Sequence, residues 1–116
     1  NQLEAAEDQA GDWRQYANQK LKEEYRPLFA QLDLLVMLKV PDWKMVYHWR
    51  SKQEAQLAVM SNGSEVMSED ALRRFVMHYE RLTRHQLQEM PGRADLVLEL
   101  SEEQRIIKII KKAAAT

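Results

Sequence analysis

The nine residues Leu32-Asp33-Leu34-Leu35-Val36-Met37-Leu38-Lys39-Val40 decide how this chain folds. The run is almost continuously apolar, of strand length, and closed by Pro41. It does not alternate, so it predicts a strand covered on both faces, as in a parallel sheet. A second run of this kind, Asp95 to Leu100 (DLVLEL), lies some way downstream. Between them stand two helical patterns. The first runs from Trp43 to about Met60 behind a possible Asp42 N-cap. The second starts at a Ser68 N-cap with Glu69 and Asp70 in its first turn, continues through Leu72, Phe75, Val76, Tyr79 and Leu82, and stops at Pro91-Gly92. Two buried-type strands separated by helices pair in parallel through a crossover. The predicted class is therefore α/β, helix-rich, with about two parallel strands and four or more helices.

Outward from this centre the helical period continues. Asp12 offers an N-cap, and Trp13, Tyr16, Ala17, Leu21 and Tyr25 form one stripe. Arg26 precedes Pro27, which predicts an end or a kink there. Asn1 to Ala10 reads as an acidic lead-in with at most a helical turn, and 61–66, containing Asn62-Gly63, as a turn. At the other end, Ser101-Glu102-Glu103-Gln104 fits a capping box. It predicts a last helix whose apolar face is Ile106, Ile109, Ile110 and Ala113. A two-stranded parallel sheet leaves its edges open, so the pattern describes part of a sheet that self-association or a partner would complete.

Composition narrows the function. The chain has 116 residues, a net charge of -1, 30% charged and 45% hydrophobic residues. That fits a single domain, 1–116. The balanced charge gives no bulk electrostatic case for nucleic acid or an anionic membrane. There is no cysteine, hence no disulfide, thiol nucleophile or Cys-ligated metal. No run reaches the ~20 apolar residues of a membrane span, and no signal-peptide pattern opens the sequence, so the expected location is cytoplasmic. Asn1 is not a natural initiator, which suggests a piece of something longer.

The chemistry-bearing residues are few. The three glycines are isolated, so neither G-x-x-x-x-G-K-S/T nor G-x-G-x-x-G is present, and no serine sits in a G-x-S-x-G turn. His48, His78 and His85 close no metal-binding motif and read as solvated or hydrogen-bonding histidines. In the 43–60 pattern, Arg50, Gln53 and Glu54 interrupt an apolar stripe. Arg50 and Glu54 stand at i, i+4 and can form a surface pair with each other. Alternatively, Arg50 can face an anion-binding cleft, for which its planar fork of donors is suited. The following helix carries Arg73, Arg74, Arg81 and Arg84 off its apolar face. They make either a solvated, ion-paired face, with Glu80–Arg84 in the favourable order, or a phosphate or carboxylate clamp through Arg81 or Arg84. The tryptophans Trp13, Trp43 and Trp49 fall at helical spacings and read as core.

Three longer segments carry a resemblance. LEAAEDQAGDWRQYANQKL (3–21), LDLLVMLKVPDWKMVYHWRSKQE (32–54) and MSEDALRRFVMHYERLTRHQLQEMPGRADLVLEL (67–100) together resemble the C-terminal part of D-glycerate 3-kinase and its P-loop kinase relatives, the uridine kinase and phosphoribulokinase group. The resemblance implies a segment of a three-layer α/β P-loop kinase fold. In a whole enzyme of that kind the γ-phosphoryl of MgATP passes to a hydroxyl of a small acid, mainly by positioning and charge neutralisation. It also implies that ATP and Mg²⁺ belong to the parent kinase, with no cofactor and no catalytic residue for this chain alone, because the phosphate loop is absent from it. By the same resemblance Arg50, Gln53 and Glu54 of WRSKQE and Glu7 and Asp8 of LEAAED are substrate- or phosphate-side residues, while Arg81 and Arg84 of YERLTR either contact substrate or a lid or pack their helix; no metal ligand is implied.

Two other expectations stand beside this one. The chain could be a non-catalytic interaction or regulatory module descended from such a kinase. It could also be all-helical, if the apolar runs are not strands.

Overall fold

The computed structural model describes residues 1–61 and 66–113; the turn expected around Asn62-Gly63 lies outside them. The chain divides into two compact units, Asn1–Leu35 and Val36–Thr116.

In the first unit the acidic lead-in is a helix, α1 (Gln2–Glu7). Asn1 caps it: its side chain accepts from the Glu4 N–H, and Glu4 reaches back to the N-terminal amine at 2.9 Å. Gly11 adopts a left-handed conformation (φ 80°), a turn that L-residues with a Cβ resist, and α2 (Asp12–Lys20) follows. Asp12 is thus the first helical residue and not the N-cap that its position suggested. The helix also does not stop before Pro27. It passes through a π-helical turn (Leu21–Tyr25) into α3 (Arg26–Phe29), with Arg26 itself helical (φ -57°, ψ -45°). A π turn widens the ladder by one residue, which relieves the clash that proline brings to an α-helix. The aromatic stripe is on the surface: Trp13 is 72% exposed, and the Trp13–Tyr16 and Tyr25–Phe29 ring pairs lie along it. The expectation that Trp13 is core fails, since the stripe on which it lies is exposed.

The second unit contains the sheet. β1 (Val36–Lys39) occupies the second half of the 32–40 run. The crossover is α4 (Lys44–Ser61) and α5 (Glu69–Glu89), and β2 (Leu96–Leu100) returns parallel to β1 with Val36 opposite Leu96 and Leu38 opposite Leu98. Ser68 caps α5, its hydroxyl accepting from the Ala71 N–H, and Pro91 falls in a short 3₁₀ turn (Met90–Gly92) that ends it. The α/β class with a parallel pair is therefore present, and the all-helical alternative is excluded.

The last helix is not formed. Residues Ile106–Lys111 are β3, antiparallel to β2, so the sheet has three strands in the order β1-β2-β3. The capping-box residues build the hairpin turn instead. The Ser101 hydroxyl accepts from the N–H groups of Glu103 and Arg105, Gln104 takes φ 63°, and the Ser101 N–H donates to the Arg105 carbonyl at 2.8 Å. Serine offers the same local hydrogen bonds to a turn as to a helix start. The four isoleucines then favour a pleated surface over a helix, where their branched Cβ atoms lose rotamer freedom.

The core of this unit is Met37 and Val97 on facing strands, Met45 of α4, Leu72 and Val76 of α5, and Ala94. Because side chains alternate along a strand, Met37 and Val97 lie on one face and the row Leu38–Leu98–Ile109 on the other. That second face is open: Leu38 is 61% and Ile109 59% exposed. Among the described residues no helix is long and apolar enough to cross a membrane.

Candidate functional site

The polar interruption in the 43–60 pattern is a hydrogen-bonded network on α4. Its residues are spaced three and four apart, so one helix face presents them together. The Arg50 guanidinium donates from Nη2 to Glu54 Oε1 at 2.7 Å and from Nη1 to Gln53 Oε1 at 2.8 Å. It also lies over the Phe75 ring of α5, 5.8 Å from the centroid. The other oxygen of Glu54 accepts the backbone N–H of Met67 at 3.2 Å, just before α5 begins. Glu54 is buried, only 5% exposed, so the pair is not the surface pair that spacing allowed. Through these bonds Glu54 ties the end of the α4–α5 connection to the helix on which it sits.

Arg50 keeps donors beyond these two. It lines a concavity of about 500 Å³ with Trp49, Lys52, Gln53, Gln56 and Gln104. The polar groups on that wall are two cations and three amides, with no carboxylate among the lining residues. Such a wall suits an anionic group of a small molecule, with guanidinium and ammonium supplying charge and the amides supplying direction. Trp49 fixes one side of it: its indole N–H donates to the Glu102 carbonyl at 2.8 Å, tying α4 to the β2–β3 turn. Nothing in the sequence pairs residues 49 and 102; only the hairpin that forms in place of the expected helix brings them together.

A second concavity, about 820 Å³, is lined by His48, Ser51, Lys52 and Glu54 of α4, Glu69 of α5 and Glu102 of the turn. Its acid content is higher. Glu69 is in turn engaged by Arg73 at 2.8 Å; this hydrogen bond first, then the charge, holds the Glu69 carboxyl below its ordinary value. Arg73 itself stacks on Tyr47, 4.7 Å from the ring centroid.

Arg81 and Arg84 lie six and nine residues beyond Phe75, about 9 and 13 Å along the axis of α5. Arg84 makes the ion pair that its spacing predicts, Nε to Glu80 Oε2 at 2.9 Å. Arg81 is half-buried. Arg50, Gln53 and Glu54 are thus one cluster, and the two arginines of α5 sit in successive turns of a neighbouring helix.

Glu7 and Asp8 belong to the first unit. Glu7 is exposed at the end of α1. Asp8 caps α2 from outside the helix. Its carboxylate accepts from the N–H of Trp13 at 2.9 Å, the N–H of Arg14 at 3.0 Å and the Arg14 Nε at 2.9 Å, while the Arg14 guanidinium also donates to the Asp8 carbonyl. Partial desolvation pushes the carboxyl up, but these hydrogen bonds and the Arg14 charge outweigh it and hold Asp8 below its usual range. The bonds satisfy two donors that every helix start leaves open.

Of the three histidines, His78 Nδ1 lies 3.0 Å from the Phe75 carbonyl within α5. Among the described residues no group of three or more His, Cys, Asp or Glu could hold a metal ion. The chain carries no glycine-rich phosphate loop.

No family model matches the chain, and no solved structure does. Over 64 residues it is 36% identical to a protein of Schizosaccharomyces pombe described as the uncharacterized kinase mug58. That stretch is 55% of this chain and 22% of the kinase, so the chain spans less than a quarter of the length of the relative it matches. This match is a distant, partial resemblance to a protein described as a kinase.

Proposed function

We propose that this chain is the C-terminal portion of an ATP-dependent small-molecule kinase of the D-glycerate kinase type, transferring phosphate to an alcohol group and incomplete as a catalyst by itself. The observation that carries this reading is the 64-residue match to a kinase. The structure supports it with the parallel β1–β2 pair and the Arg50–Lys52 wall, where the carboxylate or phosphate of a small acid can sit. Arg50 and Lys52 neutralise that charge, while Gln53 positions the guanidinium and Glu54 anchors it from behind. ATP and Mg²⁺ are held by the part of the kinase that carries a phosphate loop. Positioning and preorganised charge supply most of the rate in phosphoryl transfer, so this chain alone is expected to show none.

The test is a chimera in which this chain replaces the matched stretch of the S. pombe kinase. ATP-dependent ADP release is measured with D-glycerate and a panel of small hydroxy acids, against the parent kinase and the isolated chain. The expected result is turnover by the chimera and none by the isolated chain, with Arg50→Ala raising KM for the acid by about tenfold or more. A chimera that folds and binds nucleotide, yet releases no ADP under conditions where the parent does, would overturn the reading.

A further inference from the structure

We propose that Gln104 is the specificity-determining residue of the Arg50–Lys52 wall, its side-chain amide accepting a hydroxyl proton from an anion bound there. This rests on the kinase reading above and concerns how the same site tells a hydroxy acid from a plain acid. The starting point is a residue type that does not suit its backbone. Ser101–Gln104 closes a turn, the Gln104 N–H donating to the Ser101 carbonyl at 3.0 Å, and the β2–β3 pairing shifts register just before it, between Glu99 and Leu100. In a hairpin of this kind the residue that follows the turn sits in the left-handed region and is ordinarily glycine, or asparagine, for steric reasons. Here it is glutamine at φ 63°, the one non-glycine with a positive φ among the described residues. Its Cβ strains the backbone at a place where glycine would relieve it. Nothing within the turn offsets this, because among the described residues the Gln104 side-chain amide makes no hydrogen bond.

What Gln104 does is line both concavities, the cationic one of about 500 Å³ and the larger one beside it. The Trp49 indole, bonded to the Glu102 carbonyl, holds its turn against α4. Gln104 therefore meets Arg50 and Lys52 from a different element. The chemistry of the wall shows what it adds. Arg50, Lys52 and the Trp49 indole are donors only, so they neutralise or bond a carboxylate or phosphate but cannot take a hydroxyl proton. No carboxylate lines this concavity, which leaves three amides as its side-chain acceptors. The oxygen of Gln53 is already occupied by Arg50 at 2.8 Å. Gln56 stands on α4 at i+4 from Lys52, on the same helix as the cations. Gln104 is the acceptor that comes from the turn, so an acid held by its carboxylate on α4 can donate a neighbouring hydroxyl to it. Backbone strain at a residue that lines a site marks a side chain kept for what it contacts.

The test is NMR titration of the 116-residue chain with D-glycerate and with propionate, which keeps the carboxylate and lacks both hydroxyls. The parent is expected to favour D-glycerate by about fivefold or more, the worth of one hydrogen bond. Gln104→Gly is expected to bring that preference within about twofold and to leave propionate binding unchanged. It should also raise Tm by about 2–5 °C, because release from left-handed strain exceeds the entropy that glycine adds to the unfolded chain. Gln104→Asn tolerates the same backbone region with an amide one methylene shorter, and is expected to lose the preference as well. A turn residue with a structural role alone behaves differently: both acids weaken together, or Tm falls, and either result overturns the proposal. So does a preference that survives in either variant or is absent from the parent. A preference lost only in Gln56→Ala moves the hydroxyl contact to α4 and overturns it too. The chimera described above separates this from the kinase reading. Turnover with a D-glycerate KM that Gln104→Gly leaves within about twofold overturns the role of Gln104 and leaves the kinase reading standing. An inactive chimera, beside a preference that the isolated chain loses on Gln104→Gly, does the reverse.

Discussion

Glu54→Ala separates the structural role of the Arg50 network from its anion-binding one. The carboxylate is 5% exposed and holds two partners, Arg50 at 2.7 Å and the Met67 N–H at 3.2 Å. Removing it leaves the Met67 amide without its acceptor in a partly buried position, which costs about 1–3 kcal/mol. The lost ion pair adds less, about 0.5–1 kcal/mol, because the Arg50 side chain is still 30% exposed and solvent screens it. The sum is about 1.5–4 kcal/mol, or about 5–15 °C in Tm for a domain of this size. Arg50→Ala is milder, about 1–2 kcal/mol, since Glu54 keeps the Met67 bond and loses its cation. Gln53→Ala, at an exposed position, stays within about 0.5 kcal/mol. Urea unfolding followed by circular dichroism reads all three, with the Arg50→Ala/Glu54→Ala double variant giving the coupling, expected at about 1 kcal/mol. The same purified variants are titrated with inorganic phosphate or D-glycerate in the chimera. Loss of binding in Arg50→Ala beyond that in Glu54→Ala marks the guanidinium as the anion contact. A Glu54→Ala stability within about 0.5 kcal/mol of the parent would refute the reasoning, as it would show that neither bond is made in solution.

Three further outcomes follow from particular contacts. Asp8 is held below its unfolded carboxyl value, so its contribution to α2 is complete above about pH 4 and is lost as pH falls through the lowered value; helicity of 12–29 read by NMR should fall in acid, and Asp8→Ala should remove that step. Trp49→Phe keeps the ring and deletes the donor to the Glu102 carbonyl, costing about 1 kcal/mol and speeding amide exchange in 101–105 while α5 stays protected; unchanged exchange there would count against the tie. Leu72→Ala empties a position only 3% exposed and should cost about 3 kcal/mol in urea unfolding, whereas Val59→Ala, at 84% exposed, should cost almost nothing.

Part of the site is legible in the sequence because helical spacing is local. Arg50–Glu54, Arg73–Glu69 and Arg84–Glu80 are all i, i+4 pairs, and each is formed. The Met67 N–H on Glu54 is not legible, because it depends on how the α4–α5 connection returns to the helix. The bonds from the Trp13 and Arg14 N–H groups to Asp8 are not legible in the helical spacing either, because they depend on the left-handed turn at Gly11.

What the residues alone determined is the α/β character of the second unit. Two dense apolar runs with two capped helical periods between them leave a parallel crossover as the arrangement that buries both runs. What only the tertiary structure decided is the fate of 101–111. Ser-Glu-Glu-Gln can start a helix or close a turn with the same serine hydroxyl, and Ile106, Ile109 and Ile110 suit either period. The β-branched isoleucines lean toward a strand, but that local preference is small and does not settle the choice by itself. β2 makes the choice: it offers an unpaired edge along Leu96–Leu100, and a strand laid there satisfies the backbone groups of both partners. No residue within the segment records that edge, because it exists only once β1, α4 and α5 have brought β2 into place.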